Sequence, residues 1–92
     1  MLYVVAYDIP SNQRRRRVSN LLEGYGKRVQ YSVFECVLTP HKYNELRKRM
    51  KLRVNLQEDR IRFYPLSGHT WNQVEAWGVG QPVAEAPRSI IV

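Results

Sequence analysis

Two groups of residues near the start of the chain could do chemistry. Asp8 is the only acid among the first 22 residues, and it closes the apolar run Leu2-Tyr3-Val4-Val5-Ala6-Tyr7. An Asp at such a junction commonly shapes the turn into the next element. The same carboxylate at the mouth of a loop can also ligate a hard cation such as Mg²⁺. One carboxylate is a sparse set, because Mg²⁺ takes oxygen ligands and usually keeps several waters and substrate phosphates as well. A twofold axis would supply a second Asp8 from another copy of the chain. The other group is Arg14-Arg15-Arg16-Arg17. Cations at a helix N-terminus oppose the macrodipole by about 0.3–1 kcal/mol each, so four of them there serve stability poorly. They suit phosphate, whose oxygens match the guanidinium fork bidentately. The plain alternative is a solvated charge run.

The whole composition points the same way. Fifteen Lys and Arg against eight Asp and Glu leave a formal net charge of +7 on 92 residues. An excess of that size repels itself and is at home where a polyanion supplies the missing charge. Nucleic acid fits better than a membrane surface, since no helix sets a broad apolar face against a basic one. The single cysteine, Cys36, excludes an intrachain disulfide and paired-cysteine metal sites, and reads as a small core residue. The N-terminal apolar run stops at Asp8 and has no basic residues before it, so a signal peptide and a transmembrane helix are not expected, and the cytoplasm is the expected location. His41 and His69 stand alone, no Gly-rich phosphate loop is present, and no Ser/His/Asp set is suggested.

The elements that must position these residues can be read in order. Leu2 to Tyr7 is a central strand covered on both faces. Ser11 or Asn12 caps a helix running to about Gly24, with Val18, Leu21, Leu22 and Tyr25 as its apolar stripe. Against that stripe Arg16 points directly away, Arg15 and Arg17 flank it, and Arg14 lies in line with it. Lys27 to Leu38 reads as one long strand with apolar residues on both faces, including Tyr31. Thr39 caps a second helix with Pro40 in its first turn and Tyr43, Leu46 and Met50 inward. Its other face is basic and either tracks a duplex backbone or is solvated. Asp59 to Leu66 alternates as a strand, with Ile61 and Phe63 on one side and Arg60 and Arg62 on the other. Gln73 to Trp77 reads as a short strand, and Ser89-Ile90-Ile91-Val92 as a terminal one. The aromatic residues Tyr7, Tyr31, Phe34, Phe63 and Tyr64 are expected in the core rather than as base-stacking platforms.

The predicted class is α+β: a ferredoxin-like βαββαβ antiparallel sheet with two helices on one face. Residues 1–78 form that domain. Residues 79–92 form a tail whose terminal strand adds to a sheet edge, in its own subunit or a partner's. The second face of the sheet is expected to be covered by another subunit.

The blocks Val4-Val5-Ala6-Tyr7-Asp8-Ile9, Arg17-Val18, Gly26 through Cys36 and Arg60-Ile61-Arg62-Phe63-Tyr64-Pro65-Leu66 resemble the CRISPR-associated Cas2 family, over residues 1 to about 67. The resemblance implies a ferredoxin-like homodimer whose C-terminal strand packs on the partner's sheet. It implies metal-dependent nuclease activity on RNA or DNA, and assembly with the Cas1 integrase that inserts new spacers. In that assembly the dimer acts as a non-catalytic scaffold and ruler for duplex DNA. By motif, the resemblance assigns Asp8 as the Mg²⁺ ligand with Tyr7 beside it as the catalytic pair. It assigns Arg15, Arg17 and Arg28 as basic residues of the cleft and Phe34 as a positioning residue. Arg14 and Arg16 join them as nucleic-acid contacts on charge alone. Duplex DNA and single-stranded RNA both remain candidate substrates.

Overall fold

The computed structural model describes residues 1–80 and 82–84. Its elements are β1 (Leu2–Asp8), α1 (Asn12–Glu23), β2 (Lys27–Gln30), β3 (Val33–Val37), α2 (Pro40–Lys51), β4 (Arg60–Leu66) and a single turn of helix, α3 (Gly68–Trp71). Both long helices start where the sequence places a cap. The Ser11 hydroxyl accepts from the Arg14 N–H at 3.2 Å, and the Thr39 hydroxyl accepts from the Lys42 N–H at 3.2 Å. Each bond satisfies one of the orphan donors of a first turn.

The strands lie in the order β2-β3-β1-β4, with every neighbouring pair antiparallel. This is the ferredoxin-like arrangement expected from the sequence, and two of its strands differ from the sequence reading. The run from Lys27 to Leu38 is a hairpin rather than one strand: Tyr31 and Ser32 turn the chain, and Arg28 faces Phe34 across the pair. That hairpin supplies the fourth strand of the sheet. Gln73 to Trp77 forms no strand and follows α3 as irregular chain. The expected terminal strand Ser89–Val92 lies outside the described residues.

The period of two divides each strand between two faces. Tyr3, Val5 and Tyr7 of β1, Phe34 and Cys36 of β3, and Ile61 and Phe63 of β4 turn toward the helices. There they meet Val18, Leu21 and Leu22 of α1 and Leu46 and Met50 of α2. Tyr3 and Tyr43 stack with ring centroids 3.9 Å apart, and Phe63 meets the Tyr43 ring edge-on at 5.7 Å. Gly26 is required where the hairpin begins. A Cβ there would strike the Glu35 carbonyl oxygen and the Cys36 sulfur. Burial pushes the Cys36 thiol up to about 12, which keeps it neutral and inert.

The opposite face carries Leu2, Val4, Ala6 and Asp8 of β1, beside Val33, Glu35 and Val37 of β3 and Arg60, Arg62 and Tyr64 of β4. It is partly covered by the chain itself. The segment after α3 runs back over the β2–β3 edge, and the Glu35 carboxylate accepts from the Ala84 N–H at 2.9 Å. The Trp71 indole N–H donates to the Ala84 carbonyl at 2.7 Å. Among the described residues no helix is long and apolar enough to cross a membrane.

Candidate nucleic-acid interface

A helical spacing of i, i+3, i+4, i+7 puts Asn12, Arg15, Arg16 and Ser19 along one side of α1. That side looks across a concavity of about 270 Å³ at Tyr7 from the end of β1, Arg28 from β2 and Tyr31 from the hairpin turn. Three guanidinium groups, two phenols, a hydroxyl and an amide therefore line one small hollow on the helix side of the sheet.

Arg15 and Arg28 are held in place without being neutralised. Arg15 donates from Nη1 to the Ile9 carbonyl at 3.0 Å, which fixes the stem and leaves other N–H groups of the fork free. The Arg28 guanidinium lies 5.3 Å from the centre of the Phe34 ring and donates from Nη1 to the Tyr31 carbonyl at 3.2 Å. Its nearest carboxylate is that of Glu23, an exposed pairing at 3.9 Å, and exposed pairs of this kind hold a charge weakly. Arg16 is exposed, and among the described residues no carboxylate lies within 4 Å of it. Phe34 is completely buried, and its ring also packs on Tyr7 at 6.4 Å. It thus serves as the floor on which Arg28 rests.

Tyr7 is 6% exposed. Burial raises its phenol above the ordinary value, with Arg28 and Arg15 pulling the other way. The hydroxyl stays protonated at neutral pH and can donate a hydrogen bond to a phosphate oxygen. A hollow of this kind, with fixed planar cations and neutral donors, is built to take an anion with several oxygens.

Three residues singled out in the sequence are not part of this group. Arg14 is engaged elsewhere: Nε donates to Asp59 Oδ2 at 2.8 Å, and Nη2 donates to Asp59 Oδ1 at 3.0 Å and to Glu58 at 3.2 Å. It lies in line with the apolar stripe of α1, as its spacing indicates, and that direction leads to the buried Asp59 carboxylate. Arg17 is exposed and outside the hollow. Asp8 is exposed at the end of β1, and strand alternation sends it to the face opposite Tyr7, across from Arg60 in register. The expected pairing of Tyr7 with Asp8 therefore does not form a shared cleft within one chain. Among the described residues no three His, Cys, Asp or Glu side chains stand close enough to hold a metal ion.

The sequence reading missed Asn12, Ser19 and Tyr31. The first two were visible as the polar side of the helix at the spacing of Arg15 and Arg16. The strand pattern of Lys27–Leu38 points Tyr31 to the core, whereas in the turn it is 74% exposed.

Comparison with known proteins agrees with this architecture. The sequence profile of the CRISPR associated protein Cas2 matches residues 1–74. A Synechocystis protein described as a CRISPR-associated endoribonuclease Cas2 is 57% identical over 91 residues, covering 99% of this chain and 98% of the relative. A Thermus thermophilus crystal structure, described as a hypothetical protein, superposes with a TM-score of 0.80 at 48% identity over 88% of this chain and 94% of its own. A chain of a partial Cas6-RT-Cas1–Cas2 complex superposes with a TM-score of 0.77 at 33% identity, covering 99% and 98% of the two chains. With the fold and most of the length matched, this chain belongs to the Cas2 family.

Proposed function

We propose that the chain works in CRISPR adaptation as a homodimer that holds nucleic acid by its phosphate backbone, as a scaffold alongside the Cas1 integrase. The observation that carries this reading is the convergence of Arg15, Arg16, Arg28 and Tyr7 on one hollow whose lining, among the described residues, holds no acid. Contacts of that kind position a nucleic acid without reading its sequence. The partner and the pathway are supported by the likeness to the chain of a Cas1–Cas2 complex. The uncovered part of the far sheet face, with Ala6, Arg62, Asp8 and Arg60, is the surface offered to a second copy.

Spacer acquisition in cells tests the reading. Replacing Arg15 and Arg16 by Glu should abolish acquisition, and Asp8→Asn should leave it in place. Loss of acquisition with Asp8→Asn at normal protein levels would overturn the scaffold reading.

A second reading is Mg²⁺-dependent phosphodiester hydrolysis. It is favoured by the exposed Asp8 carboxylate at a strand end, and by the endoribonuclease description of the Synechocystis relative. Two Asp8 side chains meeting at a twofold axis would hold the ion, since Mg²⁺ is commonly bound through one or two carboxylates plus substrate phosphates. When bound, Mg²⁺ would neutralise charge on the scissile phosphate. Arg15 and Arg28 would bind and orient the flanking phosphates. Among the described residues no cluster of three His, Cys, Asp or Glu side chains stands ready to hold the ion within one chain, so turnover should be slow. Under this reading purified Asp8→Asn loses Mg²⁺-dependent cleavage of RNA and DNA while sedimenting as the wild type does. Cleavage retained by that variant would remove Asp8 from the chemistry.

A further inference from the structure

Tyr31 is a large aromatic residue with no place in the core. It occupies the β2–β3 turn with 74% of its surface open to water. The turn beneath it is nonetheless fixed. Its own carbonyl accepts from Arg28 Nη1 at 3.2 Å, and the Ser32 carbonyl accepts from the Tyr7 backbone N–H at 3.1 Å. One end of the turn is thus tied to β2 and the other to β1. The ring stands at the rim of the hollow lined by Arg15, Arg16 and Arg28. Tyr64, the other strongly exposed tyrosine of the sheet, differs in both respects: it lies on the far face, and its hydroxyl accepts from Arg62 at 3.0 Å.

The size of the hollow bears on what it can take. At about 270 Å³ it falls below the ~300–1,000 Å³ of pockets that enclose whole small molecules. A phosphate can enter, and the base of the same nucleotide would then lie near the rim where Tyr31 stands. The rim carries an aromatic face on a braced turn, next to cations. A basic groove interleaved with exposed aromatic rings is the pattern by which unpaired nucleotides are held, because every base has a π-face. In a duplex the bases are stacked on one another and present no such face.

We infer that Tyr31 is a base-stacking platform. In this view the hollow holds a phosphate on Arg15, Arg16 and Arg28, while Tyr31 stacks the adjoining unpaired base. The chain then favours nucleic acid with unpaired nucleotides over a fully paired duplex at this site. The inference rests on the backbone-binding reading and adds to it the state of the base.

Fluorescence anisotropy with a labelled oligothymidylate, and with a blunt duplex of equal length, tests it on the full-length protein. Tyr31→Ala should weaken binding of the oligothymidylate roughly tenfold, toward the lower end of base–aromatic stacking, and change duplex binding by less than about twofold. Tyr31→Phe and Tyr31→Trp keep a π-face and should retain single-strand affinity. Because these two variants preserve bulk at the turn, they hold the test open should the alanine variant fold poorly. Unchanged single-strand affinity in Tyr31→Ala, or equal losses on both substrates, overturns the stacking role while leaving backbone binding intact. A wild-type protein that binds neither substrate in a salt-dependent way overturns the backbone reading, and the stacking role with it.

Discussion

Arg14 and Arg16 stand two positions apart on α1 and do different things. Arg16 faces water at the hollow, whereas Arg14 closes on Asp59, whose side chain is fully buried. The Asp59 carboxylate also accepts from the Asn55 N–H at 2.8 Å, so it organises the loop that leads into β4. The bond from Arg14, helped by that backbone N–H, holds Asp59 below the usual carboxylate range. A carboxylate whose folded value is depressed contributes stability above its unfolded value, and that contribution fades as pH falls through the folded one. The loss should therefore begin below an unfolded value of about 3.9. Asp59→Asn should cost about 1.5–3 kcal/mol at neutral pH, the range for hydrogen bonds to charged groups. It should also flatten the acid limb of thermal midpoint against pH. Circular dichroism melts of both proteins across that limb provide the check. None of this was legible in the sequence, where 45 residues separate Arg14 from Asp59 and nothing in the local spacing joins them. The polar arc of α1 was legible, because helical geometry alone aligns Arg15 and Arg16 with Asn12 and Ser19.

At the level of elements, the sequence was readable where period and caps agree. Ser11 and Thr39 start the helices as expected, and the alternation of Arg60, Ile61, Arg62 and Phe63 is that of β4. The hairpin was not readable. Tight turns announce themselves by Asn-Gly or Gly-X pairs, and Tyr31-Ser32 is neither, while Val29, Val33 and Phe34 on its flanks are strand formers. The one Gly that matters to the hairpin, Gly26, sits at its entrance and serves a close approach instead of a turn. Gly26→Ala should cost about 1–3 kcal/mol, as overpacking does, with the loss read as a lower urea midpoint at unchanged slope. On the helix side Leu46 is fully buried against the sheet. Leu46→Ala should cost about 2–5 kcal/mol by the same measurement, for the transfer and cavity terms together. The hollow should lose little in either variant if its parts are held mainly by β1, α1 and the hairpin turn.

For the whole molecule, the two candidate chemistries fall on opposite sides of one sheet. The arginine hollow opens on the helix side of each chain, and Asp8 sits on the far face, where a second copy would bring another Asp8 to an ion site. A homodimer built on that face would carry twice the formal charge of +7 and hold the Arg15, Arg16 and Arg28 of each hollow outward, toward a polyanion. Sedimentation equilibrium should report twice the chain mass of 10.9 kDa, and a monomer at micromolar concentration would remove the far-face pairing. The sequence suggested the second subunit through the apolar residues on both sides of Lys27–Leu38. It did not indicate that residues 82–84 return to Glu35 of their own sheet, because a backbone N–H meeting a carboxylate leaves no compositional trace.

The central claim is that the helix-side arginines bind phosphate, and the salt dependence of nucleic-acid affinity tests it most directly. Each phosphate contact on B-DNA contributes about −0.9 to the slope of log affinity against log salt. The slope for wild type should be steep, and in Arg15→Ala, Arg16→Ala and Arg28→Ala it should flatten by about 0.9 for each contact removed, while Arg14→Ala leaves it alone. An unchanged slope in the three hollow variants, or a flattening confined to Arg14→Ala, would contradict the account.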